Sequence, residues 1–196
     1  MALAHLFYNA GASVTLIARD IPRLREAKDS LLVNTGDANR VHILPLDLGA
    51  TYSRIEQELT AHLSRVGGVD ILVNCAGYAV SRSFIDTPAE AIESLIKTNY
   101  LASAYVVKVL LPHMLKPCTR NGVHIHSLDR RIVFVSSMAA QVSVFGFAAY
   151  SASKYAVRGL AEALRMELES TGPFVTLAFP PDTDTPGLAV SFTLYF

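Results

Sequence analysis

Short apolar runs alternate with longer amphipathic segments from one end of this chain to the other. That alternation restricts the fold more than any other feature. Residues 14–18, 41–46, 69–73, 132–135 and 175–179 are apolar or β-branched runs of strand length. The segments between them carry helix signals. Residues 1–9 are amphipathic and stop at Gly11. Asp20 is an N-cap with Pro22 in the first turn behind it and Gly36 at the far end. Ser53-Arg54-Ile55-Glu56 and Thr87-Pro88-Ala89-Glu90 have the spacing of capping boxes, the second opening a long helix toward Leu115. Residues 117–129 read as a polar, irregular loop, and residues 150–168 as a helix. Strands alternating with helices of this length predict βαβ units, hence a parallel, doubly wound α/β sheet of Rossmann-like type. No repeat or linker divides the chain, so residues 1–196 are expected to form a single domain.

Composition excludes several functions. Hydrophobic residues make up 51% and charged residues 17% of the chain, against about 25% charged in an ordinary domain. That suits a sheet covered on both faces. The formal net charge is +0, which gives no footprint for nucleic acid. Two cysteines, Cys75 and Cys118, fit a reducing compartment rather than a disulfide framework. No stretch reaches the ~18 apolar residues of a membrane span; residues 100–115 are interrupted by Lys108, Pro112 and His113. Met1 to Ala10 lacks a basic leader, so a signal peptide is not expected. His113, Cys118, His124 and His126 match no zinc spacing, and no metal site is expected.

In a doubly wound sheet, ligands bind beyond the carboxyl ends of the strands. Those positions hold Arg19, Asp47, residues 74–77, Ser136 with Ser137, and residues 180–182. Tyr150 and Lys154 lie four apart on a helix and share a face. A lysine ammonium favours the phenolate, so such a tyrosine can exchange a proton near neutral pH; a plain surface pair is the alternative. Ser137 lies thirteen residues before Tyr150 and can hydrogen-bond the same substrate oxygen. Ser136 leaves a one-residue ambiguity, with Ser137 favoured. The small residues of Asn74-Cys75-Ala76-Gly77 let backbone approach a flat ligand, or simply make a turn. Asp47 can accept from an adenine amino group, cap a helix, or both.

Together, Asn74-Cys75-Ala76-Gly77, Asn99, Ser137 and Tyr150-Ser151-Ala152-Ser153-Lys154 resemble the short-chain dehydrogenase/reductase family over about residues 3–189. The resemblance implies Tyr150 as proton donor, Lys154 as its pKa-lowering neighbour, Ser137 as clamp on the substrate oxygen, and Asn99 as support for a relay water. It implies NADPH as cofactor, held by Arg19, Arg23, Asp47, Leu48, Asn74, Ala76, Gly77, Tyr150, Lys154 and Pro180. Arg19 and Arg23 stand where a guanidinium suits a 2′-phosphate and an acidic residue would select NAD. The runs through residues 132–137, 145–147 and 158–164, with Pro180-Pro181-Asp182-Thr183-Asp184-Thr185-Pro186-Gly187, narrow the implied reaction to reduction of a long-chain sphingoid ketone. A steroid, retinoid or other lipid ketone is the sibling reading. The implied setting is the cytosolic face of the endoplasmic reticulum. Membrane contact is expected only through segments outside this sequence, and a homo-oligomer is possible. The family's first strand and its glycine-rich turn would precede Met1, so the expected sheet lacks both, with two neighbouring strands left unpaired. An inactive truncated isoform or fragment is therefore the alternative from another class. Residues 190–196 read as an apolar stub.

Overall fold

The computed structural model describes residues 1–33, 36–120, 122–181 and 183. The chain divides into two compact units, Met1–Ala50 and Thr51–Phe196.

The first unit holds α1 (Ala2–Asn9), β1 (Val14–Ala18), α2 (Ile21–Leu32) and β2 (Val41–Pro45). β1 and β2 pair in parallel from Val14↔Val41 to Ala18↔Pro45, with α2 as the crossover. Gly11, at φ 94°, lets the chain leave α1 by a left-handed turn that a side chain would strain. Asp20 caps α2 as expected, its carboxylate accepting from the Arg23 N–H. Tyr8, Leu31 and Val41 form the buried core. Tyr8 donates its hydroxyl to Asp37 O at 3.1 Å, and the Arg40 guanidinium lies 4.3 Å from its ring centre.

The second unit holds α3 (Tyr52–Val66), β3 (Ile71–Asn74), α4 (Ala89–Leu95), α5 (Ala102–Met114), β4 (Cys118–Arg120), β5 (Val123–Ile125), β6 (Arg131–Val135), α6 (Ala148–Leu168) and β7 (Phe174–Ala178). β3, β6 and β7 form a parallel sheet in that order. In its central strand, β6, Ile132 and Phe134 are fully buried. Among the described residues β1 pairs only with β2, and β3 only with β6 on one of its edges. Parallel strands joined by helical crossovers make this a Rossmann-like α/β fold.

Three local expectations are corrected. Neither capping box forms. α3 starts one residue before Ser53, with Thr51 as N-cap and no side-chain cap bond. At α4 the N-cap is Pro88, and Thr87 turns its hydroxyl back to Ser83 O at 2.8 Å. The helix toward Leu115 is not one regular α-helix, because Ile96–Leu101 is a π-helical turn between α4 and α5. The loop over residues 117–129 contains an antiparallel hairpin, β4 with β5. Arg130 supports it from within: its Nη1 donates to the carbonyls of His113 (2.9 Å), Met114 (2.8 Å) and Lys116 (2.6 Å), and its Nη2 to Cys118 Sγ at 3.0 Å. A buried guanidinium thus satisfies carbonyls that the end of α5 leaves without helical partners. Among the described residues no helix is long and apolar enough to cross a membrane.

Candidate active site

The carboxyl ends of β3 and β6 and the first turns of α6 converge in the second unit. Asn99 is the hub. It sits in the π-helical turn and is only 1% exposed. Its Oδ1 accepts from Tyr78 N at 3.0 Å, and its Nδ2 donates to Tyr78 O at 3.0 Å and to Ser153 Oγ at 2.9 Å. Ser153 in turn donates to Tyr150 O at 2.6 Å. One amide therefore ties the loop after β3 to the turn of α6 that carries Tyr150. π turns of this kind recur at functional sites because the extra residue re-aims a side chain.

Lys154 is 7% exposed. Its Nζ donates to Val135 O, the last residue of β6, at 3.1 Å, and lies 5.8 Å from the Tyr150 ring centre. Burial pulls the ammonium below its ordinary pKa of 10.5, and a smaller electrostatic contribution from Cys75 opposes that effect. Tyr150 is half-buried.

The two serines after β6 have different surroundings. Ser136 is buried, and its hydroxyl donates to Lys154 O at 3.3 Å, inside the α6 backbone. Ser137 is half-buried. Its Oγ accepts from Ala139 N at 3.1 Å, capping a 3-10 turn over Met138–Ala140. That contact uses a lone pair and leaves the hydroxyl proton for another acceptor.

The Asn74-Cys75-Ala76-Gly77 segment leaves β3 at this edge. Asn74 is buried, with no hydrogen-bond partner for its Nδ2 among the described residues. Cys75, Ala76 and Gly77 are exposed. Their backbone, nearly bare of side chains, lies open beside the buried ammonium, a surface suited to a flat ligand. Pro180, two residues past β7, is half-buried. Of the run beginning there, Asp182 and residues 184–187 lie outside the described residues, as do residues 190–196.

The remaining cofactor candidates lie in the first unit. Arg19 and Asp47 follow the carboxyl ends of β1 and β2, which Leu46 N joins to Ala18 O at 2.9 Å. Arg19 is exposed, with no ion pair or hydrogen bond among the described residues. Arg23 faces Asp20 at 3.5 Å, so its charge is shared with a carboxylate. Asp47 is not a helix N-cap. Its carboxylate accepts from Gly49 N at 2.9 Å and closes its own turn, which contains the half-buried Leu48.

Sequence pattern assigned no role to Ser153 or Arg130. Ser153 could have been found, since it lies one turn after Tyr150 on a face where a small hydroxyl can reach another element. Arg130, just before β6, had no local signal; its carbonyl partners His113, Met114 and Lys116 lie 14 to 17 residues away.

A model of the short chain dehydrogenase family matches residues 1–193. The chain is 42% identical over 183 residues to a 3-ketodihydrosphingosine reductase of Mus musculus, covering 93% of this chain and 52% of that protein. It is 40% identical over 185 residues to a 3-dehydrosphinganine reductase of Danio rerio, with the same shares covered. The chain thus spans about half the length of the curated relatives it matches. Among solved structures, the closed form of a serine dehydrogenase complexed with NADP+ superposes with TM-score 0.77 at 30% identity, over 91% of this chain and 66% of that one.

Proposed function

This chain belongs to the short-chain dehydrogenase family, and on that premise we propose that it serves the NADPH-dependent reduction of a long-chain lipid ketone, 3-ketodihydrosphingosine to dihydrosphingosine. The observation that carries this reading is the convergence of Asn99, Ser137, Tyr150 and Lys154 at one edge of the β3-β6-β7 sheet. The relatives named for that reaction support the substrate.

The residues present fit a nicotinamide dinucleotide: a desolvated ammonium, an orphaned Asn74 amide and an open, small-residue backbone stand together. Lys154, Asn74, Ala76, Gly77 and Pro180 would hold the nicotinamide ribose side. Arg19, Asp47 and Leu48 would hold the adenosine side, with Arg23 adding to the 2′-phosphate contact. When bound, NADPH supplies the hydride that the carbonyl carbon accepts. Ser137 donates its free hydroxyl proton to the substrate oxygen as a hydrogen bond, so it binds and orients that oxygen. Tyr150 gives its phenolic proton to the same oxygen as the alkoxide forms. The Lys154 ammonium stabilises the resulting phenolate. Asn99 fixes the helix turn from which Tyr150 projects and supports the water through which its proton is replaced.

The loop between Ser137 and Tyr150 supports a lipid rather than a polar substrate. Val142, Val144 and Phe145 are 66%, 58% and 82% exposed there, and exposed apolar clusters mark surfaces that meet apolar ligands. The proposal extends to the setting, the cytosolic face of the endoplasmic reticulum, and the relatives named for sphingoid-ketone reduction support it. The test is oxidation of NADPH by the purified enzyme with 3-ketodihydrosphingosine, beside a steroid ketone and retinal at equal concentration. Faster turnover of either comparison substrate would overturn the assignment.

A further inference from the structure

We propose that Tyr155 and Arg158 are positioning residues that set Ser137 against Tyr150, a role that rests on the catalytic reading of Ser137 given above. α6 carries the proton donor, and it also reaches across to the turn that carries the serine. Tyr155 donates its hydroxyl to Gln141 O at 2.9 Å. Arg158 donates from Nη1 to Ala140 O at 3.0 Å. Both acceptors belong to the 3-10 turn and its cap, whose first residue is Ser137.

The turn is short and weakly held by itself. Ala140 N donates to Ser137 O at 2.9 Å and Gln141 N to Met138 O at 2.8 Å. Runs of this geometry rarely exceed three or four residues because their hydrogen bonds are poorly aligned. Without outside contacts the turn is free to unwind, and the Ala139 N–H that fixes the Ser137 oxygen would leave with it. The two α6 side chains supply those contacts on consecutive carbonyls.

The latch is itself braced. Arg158 Nε is 2.7 Å from Glu162 Oε1, one turn on, and its guanidinium carbon lies 6.0 Å from the Phe179 ring centre just past β7. Tyr150, Lys154 and Arg158 are spaced four apart, so donor, ammonium and latch share one face of the helix. Lys154 Nζ reaches the end of β6 at Val135 O, Ser136 returns a bond to Lys154 O, and Arg158 and Tyr155 hold the carbonyls of Ala140 and Gln141. A rigid displacement of α6 therefore carries the serine turn with it, and the separation of the two hydroxyls is conserved. This matters because a misplacement of about 1 Å in such a pair can cost a hundredfold in rate.

The experiment compares Tyr155→Phe, Arg158→Gln, the double variant and Arg158→Lys, each with and without Ser137→Ala, in the full-length enzyme. Tyr155→Phe removes one hydroxyl and no volume, which protects the fold. The double variant should lose about tenfold or more in kcat, as expected for a loosened reacting pair, with the KM for ketone and the affinity for NADPH little changed. Arg158→Lys should recover part of the loss. In the Ser137→Ala background the latch substitutions should cost nothing further. Amide exchange gives a readout that needs no turnover: Ala139 and Ala140 should exchange faster in the double variant while Ile132 and Phe134 in β6 do not. Unchanged exchange at Ala139, or a loss that persists in full without the Ser137 hydroxyl, overturns the proposal. Full activity of the double variant beside an inactive Ser137→Ala overturns it alone. Undiminished turnover by Ser137→Ala overturns the reading of Ser137 and this proposal with it.

Discussion

A methyl group built on Gly77 would meet Asn99 Oδ1 at 2.9 Å and Lys154 Nζ at 3.5 Å. The glycine is therefore required by space. The backbone of the loop after β3 is pressed against the amide and the ammonium on which the site depends. Asn99 cannot swing aside cheaply, because the same oxygen accepts from Tyr78 N and the same amide donates to Tyr78 O and Ser153 Oγ.

Gly77→Ala should accordingly cost about 1–3 kcal/mol, the usual range for overpacking a tight site. It should also cut turnover disproportionately, since the atoms that must yield are Asn99 and Lys154. Urea unfolding and steady-state kinetics on the variant check both. Wild-type stability and activity together would mean that the loop relaxes away from Asn99.

Tyr150→Phe removes the transferable proton and keeps the ring. Proton transfer by a placed side chain contributes about 10²–10⁴ in rate, and kcat should fall by that order. Affinity for NADPH, measured by titration calorimetry, should change by no more than a few-fold. Turnover like that of the parent would take Tyr150 out of the mechanism.

The residues that are easiest to read in the sequence are those fixed by local pattern. The β1 boundaries match the expected residues 14–18, and β2, β3, β6 and β7 fall within two residues of expectation at each end, because runs of buried β-branched residues have few other uses. Ser137 and Asn74 follow from standing at those strand ends. The misreadings all involve choices that local pattern leaves open. Ser53 has capping-box spacing but lies inside α3, where its backbone is helical and a cap cannot form. The π-helical turn around Asn99 is decided by what Asn99 can bond across to Tyr78 and Ser153, from elements 21 and 54 residues away. The β4–β5 hairpin is polar and short, and it rests on Arg130, whose partners are all tertiary.

Lys154 carries a pH dependence that can be isolated. Burial places its folded-state pKa below the ordinary 10.5, so the unfolded chain binds that proton more tightly. Below the folded pKa both states are protonated, and the cost of the buried charge is carried in full. As pH rises from the folded pKa toward 10.5, the folded state sheds the proton first and the cost is relieved. A tenfold difference in proton affinity between the two states corresponds to about 1.4 kcal/mol. Lys154→Met keeps the stem and removes the titration. The stability of the parent relative to Lys154→Met should therefore rise across that alkaline window and stay flat below it. A difference that does not change with pH would show the ammonium to be solvated.

Arg19 is exposed at the end of β1 with no partner among the described residues, whereas Arg23 already faces Asp20. Arg19 should thus contribute most of the preference for a 2′-phosphate. A hydrogen bond to a charged group is worth about 1.5–3 kcal/mol. Arg19→Ala should weaken NADPH binding by roughly tenfold to a hundredfold on that basis and leave NADH nearly unchanged. Arg23→Ala should do much less. Equal losses for the two cofactors would place the 2′-phosphate elsewhere.

Phe145 tests the lipid reading at a residue that has no part in the proposed proton transfer. It lies five residues before Tyr150 and is 82% exposed, with Val142 and Val144 exposed beside it in the same loop. An alkyl chain running out from the carbonyl held at Ser137 and Tyr150 would cover these side chains and remove their surface from water. Full burial of a phenylalanine side chain contributes about 1.5–3 kcal/mol, and covering part of it still amounts to roughly a tenfold effect on affinity. Phe145→Ser should therefore raise the KM for a long-chain 3-keto sphingoid base by about that factor. It should leave the KM for a short-chain analogue, which ends before the loop, where it was, and kcat should hold for both. A rise of the same size for the short analogue would mean that Phe145 shapes the reacting end of the site, and the chain-length argument for a lipid ketone would fall.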